Sequence, residues 1–218
     1  TTLPELPERC SGFSVYYSDP RSPASVPTQL LAEQGTQTLC TSLLDAQLQF
    51  GLLGFFQVNT PVFEAALCTM QKFIPADSDV VDLYSGVGAI SIPLASRIRS
   101  AILVDTNAES IQCAQENITL NHLTTFQAHC TPAEQLLKVV TSDRLIILDP
   151  PRAGLHTDVT QRILDTFPQR LIYLSCNVAT QARDITLLSQ KYRVTHLELY
   201  NFFPRTPHIE ALCFLERR

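Results

Sequence analysis

Residues 79–89 read DVVDLYSGVGA. The first six of these residues form a mostly apolar run of strand length, which stops at a turn with two close glycines, Gly86 and Gly88. Apolar residues then recur at helical spacing, at Ile90, Leu94 and Ile98. A buried strand that leads through a glycine turn into a helix is typical of an α/β fold with a parallel sheet. We therefore predict a strand at 79–84 followed by a helix.

The chain beyond this segment keeps alternating between strand and helix patterns. Short apolar runs predict further strands at residues 101–105, 124–130, 144–149, 171–175, 193–200 and 211–216. Helix signals separate the first five strands: capping boxes at Thr106 with Glu109 and at Thr131 with Glu134, a helix near 157–166 and another after Cys176. Strands this apolar are buried on both faces, and strands separated by helices run mostly parallel. The prediction is a doubly wound α/β sheet of seven mostly parallel strands, with an antiparallel strand near the end.

The region before this sheet carries weaker patterns. Residues 1–36 hold five of the 14 prolines and show little periodicity. Two alternating stretches, 38–44 and 47–53, predict a β-hairpin that turns near Asp45-Ala46. Apolar residues at helical spacing then predict an amphipathic helix at 61–74.

Composition limits the class of protein. With 218 residues, of which 45% are hydrophobic and 17% charged, one main domain is expected. Seven cysteines without a C-x-x-C pair argue against a metal site and against a complete disulfide framework, so we predict a reducing, cytoplasmic setting. No leader pattern and no apolar run of about 20 residues is present, so we expect a soluble protein with no membrane partner. Because the chain begins at Thr1, we interpret it as a processed product or part of a longer protein.

The formal net charge of −5 argues against a broad surface for nucleic acid, because nonspecific binding depends on Lys and Arg neutralising phosphates. If RNA is the substrate, its binding must be local or shared with a part that is missing from this sequence.

Acidic side chains follow two of the predicted strands, where open α/β sheets bind ligands. Asp105 lies 23 residues beyond Asp82, the distance at which an acid can accept both hydroxyls of a ribose. With Gly86 and Gly88, this spacing suits either NAD or S-adenosylmethionine. The dinucleotide pattern G-x-G-x-x-G is incomplete, because its third glycine would be Ser91, and a solvated acid at a strand end explains Asp105 equally well.

Asp149 follows the fourth predicted strand, in LDPPRAG. Two successive prolines prevent immediate entry into a helix and hold an extended loop, which would keep this carboxylate in the crevice. The alternative is a simple strand terminator, and we favour a functional role.

A thiol and a further acid complete the candidate site. Cys176 stands between the strand pattern LIYLS and a helix pattern, where a helix amino end favours thiolate, so it is the candidate nucleophile. The alternative is a buried structural thiol, which is our interpretation of the cysteines at positions 10, 40, 68, 113, 130 and 213. Glu210 closes FFPRTPHIE, and an isolated Glu is normally only solvated, so its role needs outside support.

Taken together, these motifs resemble the S-adenosylmethionine-dependent RNA 5-methyluridine methyltransferases. The matching segments are FFQVN at 55–59, DLYSGVG at 82–88, LDPPRAG at 148–154, SCNVATQARD at 175–184 and FPRTPHIE at 203–210. Five motifs in the same order are far more specific than any one of them. The resemblance implies a Rossmann-like methyltransferase domain at 57–218, preceded at 1–56 by a remnant of a central or linker region with a β-containing extension.

The resemblance also implies roles for individual residues. Cys176 would be the nucleophile and Glu210 the base. Cofactor-binding residues would be Gln57, Tyr84, Gly86, Gly88, Asp105 and Asp149. S-adenosylmethionine is the implied cofactor, and the implied substrate is a uridine of RNA, with rRNA favoured over tRNA. The family's N-terminal RNA-binding barrel and the cysteines of an iron–sulfur cluster have no counterpart here, so we expect a monomer without metal or cluster.

The chemistry requires such groups independently of the resemblance. C5 of uracil is a poor nucleophile, and attack of a thiolate at C6 activates it, after which a base removes the C5 proton. The helix amino end and Arg183 are expected to favour the thiolate. Phe202, Phe203 and Arg205 are candidate RNA contacts, although a role as core or rim residues explains them equally well. Two other functions stay open: a methyltransferase-like RNA-binding module that binds the cofactor without methylating uracil, and a nicotinamide-dependent oxidoreductase.

Overall fold

The structure, a computed structural model, describes residues 10–19, 21, 28–52 and 54–218 of the chain. Its strands are β1 (Gly12–Tyr17), β2 (Gln29–Gly35), β3 (Thr38–Leu43), β4 (Ala46–Gly51), β5 (Ser78–Leu83), β6 (Ile98–Asp105), β7 (Phe126–Cys130), β8 (Leu145–Leu148), β9 (Arg170–Ser175), β10 (Tyr192–Tyr200) and β11 (Glu210–Arg217). Its α-helices are α1 (Thr60–Phe73), α2 (Ala108–Leu120), α3 (Thr157–Thr166) and α4 (Val178–Leu188). Among the described helices, none combines the length and the apolar character needed to cross a membrane.

Seven of the strands form one sheet, in the order β10-β11-β9-β8-β5-β6-β7. The pairs from β9 to β7 are parallel, whereas β11 is antiparallel to both of its neighbours. The predicted doubly wound, mostly parallel sheet with an antiparallel strand near its end is therefore confirmed. From β5 the chain first runs outward to β6 and β7 and then returns to β8 on the other side. This reversal opens a crevice at the carboxyl ends of β5 and β8, the position where such sheets bind ligands.

Both faces of the sheet are covered, which explains why its strands are continuously apolar. Val80 packs in a cluster with Phe63 and Leu67 of α1, whereas the next residue, Val81, packs with Val159 and Ile163 of α3. Successive residues of a strand point to opposite faces, so a strand between two layers of helices must be apolar at every position.

The boundaries of the predicted elements agree closely with the structure. The helices predicted at 61–74 and 157–166 are α1 and α3, and the helix predicted after Cys176 is α4. All seven predicted strands are present, and their ends differ from the predictions by three residues or fewer.

The helix predicted after the glycine turn is wrong. Residues 86–94 form a series of turns that ends in a short 3-10 helix at Ala95–Arg97, and Ile98 already belongs to β6. Pro93 lacks the N–H that a helix would need, and Gly86 and Gly88 have positive φ angles of 54° and 82°. The helical spacing of the apolar residues therefore reflects their burial and not a helix.

Both predicted capping boxes are also wrong. Helix α2 is capped by Asn107 instead of Thr106: the Asn107 side chain accepts a hydrogen bond of 2.9 Å from the Ser110 N–H. Asparagine is at least as good an N-cap as threonine, and the β6 strand leaves Asn107 in the capping position. After β7, residues 133–139 form two short 3-10 helices in place of an α-helix, and the Thr131 side chain caps neither of them.

Two hairpins precede the main sheet. Strands β1 and β2 pair with each other, as do β3 and β4, whose turn lies at Leu44-Asp45, one residue earlier than predicted. Leu53, at the end of the second predicted stretch, lies outside the described residues. Leu43 and Leu48 of the second hairpin belong to the same core cluster as α1. The division between residues 56 and 57 stays a prediction, because this hairpin shares its core with the domain that follows.

Asparagine side chains of α2 attach β4 to the rest of the molecule. Asn117 is fully buried, and its side chain accepts a hydrogen bond of 2.7 Å from the Gln49 N–H and donates to the carbonyls of Gln49 and Val87, at 3.0 and 3.1 Å. One turn later, Asn121 makes the equivalent pair of bonds with the backbone of Gln47. The exposed edge of β4 is thus satisfied by amide side chains in place of another strand.

We predict that Asn117→Ala lowers the free energy of unfolding by about 2 kcal/mol, because three hydrogen bonds to buried backbone groups outweigh the better helix propensity of alanine. Urea denaturation followed by circular dichroism measures this change. Gln112→Ala, on the exposed face of the same helix, is the matched control and should alter stability by less than about 0.5 kcal/mol. An equal loss in the two variants would contradict the proposed attachment.

Candidate active site

A cavity of about 650 Å³ lies at the carboxyl edge of the parallel strands. It brings together seven of the eight predicted site residues: Gln57, Tyr84, Gly86, Asp105, Asp149, Cys176 and Glu210. Glu210 reaches this edge because β11 runs antiparallel to β9, so the first residue of β11 lies beside the end of β9. Gly88, the eighth residue, does not line the cavity.

The two glycines of the turn have different roles. A Cβ atom on Gly86 would meet no other atom within 4 Å, so this position is open toward the cavity. A Cβ atom on Gly88 would come within 2.5 Å of the Ile92 side chain and 2.9 Å of the Leu103 side chain. Gly88 therefore lets the turn pack against the core, and only Gly86 lets the backbone approach a ligand.

The Asp105 carboxylate holds this turn in place. One oxygen accepts a hydrogen bond from the Gly86 N–H and the other accepts one from the Asn107 N–H, both at 2.9 Å. Each carboxylate oxygen has a second lone pair, so the group can still accept hydrogen bonds from a ligand. A pair of ribose hydroxyls is a suitable donor set for it.

Buried polar atoms along the cavity wall lack partners in the described part of the chain. The Gln57 side chain is only 6% exposed, yet its carbonyl oxygen accepts no hydrogen bond, and the same is true of the Ser85 hydroxyl at 7% exposure. Buried polar atoms are nearly always paired, so each unpaired one calls for a partner. A ligand rich in N–H and O–H groups, such as the adenosine and amino-acid parts of S-adenosylmethionine, fits this wall.

Carboxyl groups are concentrated at the bottom of the cavity. Burial raises the pKa of Asp149 well above its usual value, and the nearby carboxyls of Glu210, Asp82 and Asp105 add to this effect. Asp82 is completely buried within β5, and burial raises its pKa to about 7, although its contacts with Ser91 act in the opposite direction. Sequence patterns gave no sign of this role for Asp82, because a single acid in an apolar strand shows no pattern. A positive charge at this place would relieve the repulsion among the carboxylates.

Cys176 occupies the single position between β9 and the N-cap of α4. The N-cap is Asn177, whose side chain accepts hydrogen bonds from the Ala179 and Thr180 N–H groups at 3.1 and 3.4 Å. Burial raises the pKa of the Cys176 thiol, followed in importance by the charges of Glu210 and Asp149. These effects favour the protonated thiol over the thiolate and oppose the helix amino end.

Arg183 was expected to favour the thiolate of Cys176, and this prediction is wrong because its guanidinium is bound elsewhere. Its guanidinium donates to the Asp184 carboxylate at 2.7 and 2.9 Å and to the Ala153 carbonyl at 2.9 Å. The cation that does lower the pKa of Cys176 is Arg152, which the sequence reasoning missed although it stands within LDPPRAG.

Glu210 is buried, unlike a typical isolated Glu, and retains only 3% exposure. Burial raises its pKa to about 7, and the charge of Arg152 opposes this shift. In the β9–β11 ladder, Ala211 is paired with Ser175, so Glu210 and Cys176 lie one residue beyond the last pair. The register of these two strands therefore fixes the Glu210 carboxyl beside the Cys176 thiol.

The loop that carries Asp149 is tied to the first turn of α4. The Arg152 carbonyl accepts hydrogen bonds from the Asn177 side chain at 3.0 Å and from the Thr180 hydroxyl at 3.2 Å. This part of the SCNVATQARD segment therefore positions the loop around the thiol.

Asp184 anchors the far end of the same loop. Its side chain is nearly completely buried and accepts hydrogen bonds of 2.8 Å from both the Leu155 N–H and the Tyr173 hydroxyl. Gly154 lies against it with a φ angle of 82°, and a Cβ atom there would come within 2.6 Å of an Asp184 carboxylate oxygen. Only glycine allows this close approach.

The three residues suggested as RNA contacts do not line the cavity. Phe202 is 1% exposed and packs edge-on against Phe63, with ring centroids 5.6 Å apart, so it is a core residue. Phe203 is partly buried against the same cluster, and Arg205 is exposed. Within the described residues, no group of three or more His, Cys, Asp and Glu side chains is arranged to hold a metal ion.

Known proteins are similar to this chain in sequence, and the matches agree on one family. A family model described as tRNA (Uracil-5-)-methyltransferase matches residues 49–218. An uncharacterized RNA methyltransferase of Parasynechococcus marenigrum is 38% identical over 192 residues, covering 84% of this chain and 41% of that protein. Another from Mycoplasma mobile is 34% identical, covering 87% of this chain and 53% of that protein. The chain thus spans about half the length of the curated relatives it matches.

Solved structures are similar as well. The Pyrococcus abyssi tRNA (uracil-54, C5)-methyltransferase, in complex with S-adenosyl-L-homocysteine, is 27% identical with a TM-score of 0.81, covering 94% of this chain and 51% of that one. The M. jannaschii tRNA m1G37 methyltransferase has a TM-score of 0.61 at 18% identity, covering 87% of this chain and 60% of that one, and the likeness shows a common fold alone.

Burial of Glu210 generates a prediction about stability. Because its pKa is raised to about 7 in the folded protein, ionisation of Glu210 costs folding free energy as the pH rises from the unfolded value, about 4.3, through about 7. We expect Glu210→Gln to be more stable than the wild type by about 2–3 kcal/mol at pH 8 and to lose this advantage near pH 5. Urea denaturation at the two pH values measures the difference.

The matched control is Glu216→Gln, at the other end of β11, where the carboxylate is partly exposed and pairs with Arg170 at 3.0 Å. This substitution should lower stability by less than about 1 kcal/mol. If Glu210→Gln gave no gain at pH 8, the burial of an ionised Glu210 would not be costly and the argument would fail.

Proposed function

Since the chain belongs to the tRNA (uracil-5-)-methyltransferase family, we propose that its cavity binds S-adenosyl-L-methionine and methylates C5 of a uridine in RNA. The observation that carries this proposal is the pairing of Ser175 with Ala211, which sets a thiol and a buried acid side by side at the cavity. Cofactor binding alone would not require these two groups. The glycine turn was the only argument for a nicotinamide enzyme, and family membership outweighs it.

The proposed cofactor subsite lies along β5 and β6. Asp105 would accept hydrogen bonds from the ribose hydroxyls, and Gly86 would let the backbone approach the cofactor closely. Gln57, Tyr84 and Asp149 would complete the wall of the subsite. When bound, S-adenosyl-L-methionine supplies an electrophilic methyl group. The carboxyls of Asp149 and Glu210 provide a favourable environment for the positive sulfonium, because they otherwise repel each other.

The proposed nucleophile is Cys176. Its thiolate would attack C6 of the uracil ring, forming an S–C6 bond and moving the electron pair of the C5–C6 double bond to C5 and the O4 carbonyl. C5 then becomes able to accept a methyl group. Because burial raises the pKa of the thiol, attack requires that its proton first pass to water, and the charge of Arg152 favours the thiolate that remains.

The proposed base is Glu210. Once C5 carries the methyl group, its carboxylate would take the C5 proton, and the returning electron pair would expel the Cys176 thiolate from C6. A base works best when its pKa is close to the working pH, and burial raises the pKa of Glu210 to about 7. The buried position is thus suited to the chemistry although it reduces stability.

The class of RNA, the monomeric state and the cytoplasmic setting stay predictions of the sequence. The sequence favoured rRNA, whereas the solved relative from Pyrococcus abyssi acts on uracil-54 of tRNA. Parallel assays with rRNA and tRNA transcripts, followed by mapping of 5-methyluridine, decide between them.

We predict that RNA containing 5-fluorouridine forms a stable covalent adduct with the protein in the presence of S-adenosyl-L-methionine. The fluorine at C5 cannot be removed as a proton, so elimination of the thiolate is blocked. Denaturing gel electrophoresis detects the adduct. Cys176→Ala should abolish it, whereas Cys68→Ala, an exposed cysteine of α1 outside the cavity lining, should leave it unchanged.

Absence of the adduct with the wild type, or its persistence in Cys176→Ala, would contradict the proposed mechanism. Binding of S-adenosyl-L-methionine and RNA without adduct would favour the alternative, an RNA-binding module that does not methylate uracil.

We also predict the pH dependence of the elimination step. Only the ionised Glu210 can accept the C5 proton, and since its pKa is about 7, release of tritium from the methylated covalent adduct of 5-tritiated uridine, followed after a pH jump, should increase through about pH 7 and fall about tenfold per unit below pH 6. Glu210→Gln should stop tritium release and accumulate the adduct with ordinary uridine. A rate that is constant between pH 6 and pH 8 would rule out this assignment.

A further inference from the structure

A second, smaller cavity of about 330 Å³ lies on the other side of Cys176. It is lined by Arg152, the segment 176–179 at the start of α4, and the segment 207–209 that leads into β11. Of the residues that the structure describes, only Cys176 and Arg152 line both cavities. The small cavity therefore meets the large one at the proposed nucleophile and has no contact with the proposed cofactor wall formed by Gln57 and Asp105.

Two side chains suited to binding anions face each other in the small cavity. The Arg152 guanidinium lies 3.2 Å from the Nε2 atom of His208. Guanidinium groups only donate hydrogen bonds, so in this contact Nε2 of His208 is the acceptor. Arg152 has no carboxylate within 4.0 Å among the described residues, unlike Arg99, Arg170 and Arg183. Its positive charge is therefore not neutralised by an ion pair.

The backbone holds this pair in place. The Arg152 carbonyl is bound by the side chains of Asn177 and Thr180, and the His208 N–H donates to the Thr206 hydroxyl at 3.2 Å. The two side chains thus project from loops that are fixed on either side of Cys176. Such preorganisation reduces the entropy lost when a ligand binds.

Charge separates this rim from the interior of the large cavity. Four acids line the large cavity, Asp105, Glu134, Asp149 and Glu210, and Arg152 is the single Lys or Arg among the described lining residues. An anion is therefore repelled from the interior and attracted to the rim. The chain has a net charge of −5, so the rim at Arg152 is a local positive site at which a phosphate can bind.

We propose that Arg152 and His208 bind a backbone phosphate of the RNA, next to the nucleotide whose base lies against Cys176. This inference rests on the proposed function, because a base that enters the large cavity up to Cys176 leaves its sugar and phosphate at the rim. Arg152 makes the charged contact, and His208, released from Arg152, donates a hydrogen bond from a ring N–H to a phosphate oxygen.

The position of His208 favours an RNA phosphate over the other anion at hand, the carboxylate of S-adenosyl-L-methionine. Arg152 alone could reach either ligand, because it lines both cavities. His208 lines only the small cavity, away from the proposed cofactor wall. A ligand that engages both side chains therefore lies outside the cofactor subsite.

The test is equilibrium binding of a short, fluorescently labelled, single-stranded RNA containing uridine, measured by anisotropy from about 50 to 300 mM KCl. All variants carry Cys176→Ser, so that no covalent adduct forms. Each phosphate contact to single-stranded nucleic acid contributes about −0.7 to the slope of log K against log salt. We expect Arg152→Gln to weaken binding about five- to tenfold at 100 mM KCl and to reduce the steepness of this slope by about 0.7, whereas Arg152→Lys should keep the slope.

His208→Asn should weaken RNA binding about two- to fivefold with little change in slope, because it removes a hydrogen bond and no fixed charge. The matched control is Arg193→Gln on β10, an exposed arginine paired with Glu216 at the opposite end of the ladder from Glu210, and it should change neither affinity nor slope. Calorimetric titration with S-adenosyl-L-methionine should give the same affinity for Arg152→Gln as for its parent.

Each result has a definite consequence. Unchanged RNA affinity and slope in Arg152→Gln would overturn the inference, as would a loss of S-adenosyl-L-methionine binding with RNA binding intact. No RNA binding by the Cys176→Ser parent would also overturn it. If the slope changes as expected but the wild type forms no adduct with 5-fluorouridine RNA, the phosphate site stands and the proposed methyltransferase function fails.

Discussion

The antiparallel pairing of β11 with β9 is the constraint on which the site depends. In a purely parallel sheet, the first residue of the last strand would lie at the opposite edge from Cys176. Antiparallel pairing brings Glu210 to the same edge, and the register of Ala211 with Ser175 fixes it beside the thiol. Gln181, 2% exposed in α4, reinforces this end of the ladder by donating to the carbonyls of Tyr173 and Ala211 at 3.0 and 2.9 Å. The Gln181 side chain thus joins α4, which follows Cys176, to β11, which begins with Glu210.

This arrangement places groups together that repel one another. Asp149, Glu210 and the Cys176 thiol share a partly dehydrated cavity, and each has a pKa above its usual value. Such a cluster persists only if the surrounding structure supplies the stability it lacks. The buried Asp184, bonded to Leu155 and Tyr173, together with the side chains that bind the Arg152 carbonyl, provides that support.

The fold could be predicted from the sequence because strands between two layers of helices, such as the one with Val80 and Val81, must be apolar throughout. A different rule, that apolar residues at helical spacing indicate a helix, produced the wrong helix after Gly88, because Leu94 is buried within a series of turns. The candidate site was predictable where it follows strand ends, as with Asp105 and Asp149. Arg152 and Asp184 were missed as supporting residues, because their partners, Cys176 and Leu155, become neighbours only when the loop folds back onto α4.

The distribution of charge suits two substrates of opposite sign. On the proposed function, a positively charged sulfonium enters an interior lined by Asp149 and Glu210, while the RNA brings negative phosphates that such an interior would repel. Arg152 stands at the boundary, where its charge both favours the Cys176 thiolate and attracts a phosphate. A phosphate bound there would partly neutralise Arg152 and weaken its effect on the thiol. The incoming sulfonium would favour the thiolate from the other side, so in the complex with RNA the Cys176 thiol would be more acidic when S-adenosyl-L-methionine is bound than when it is absent.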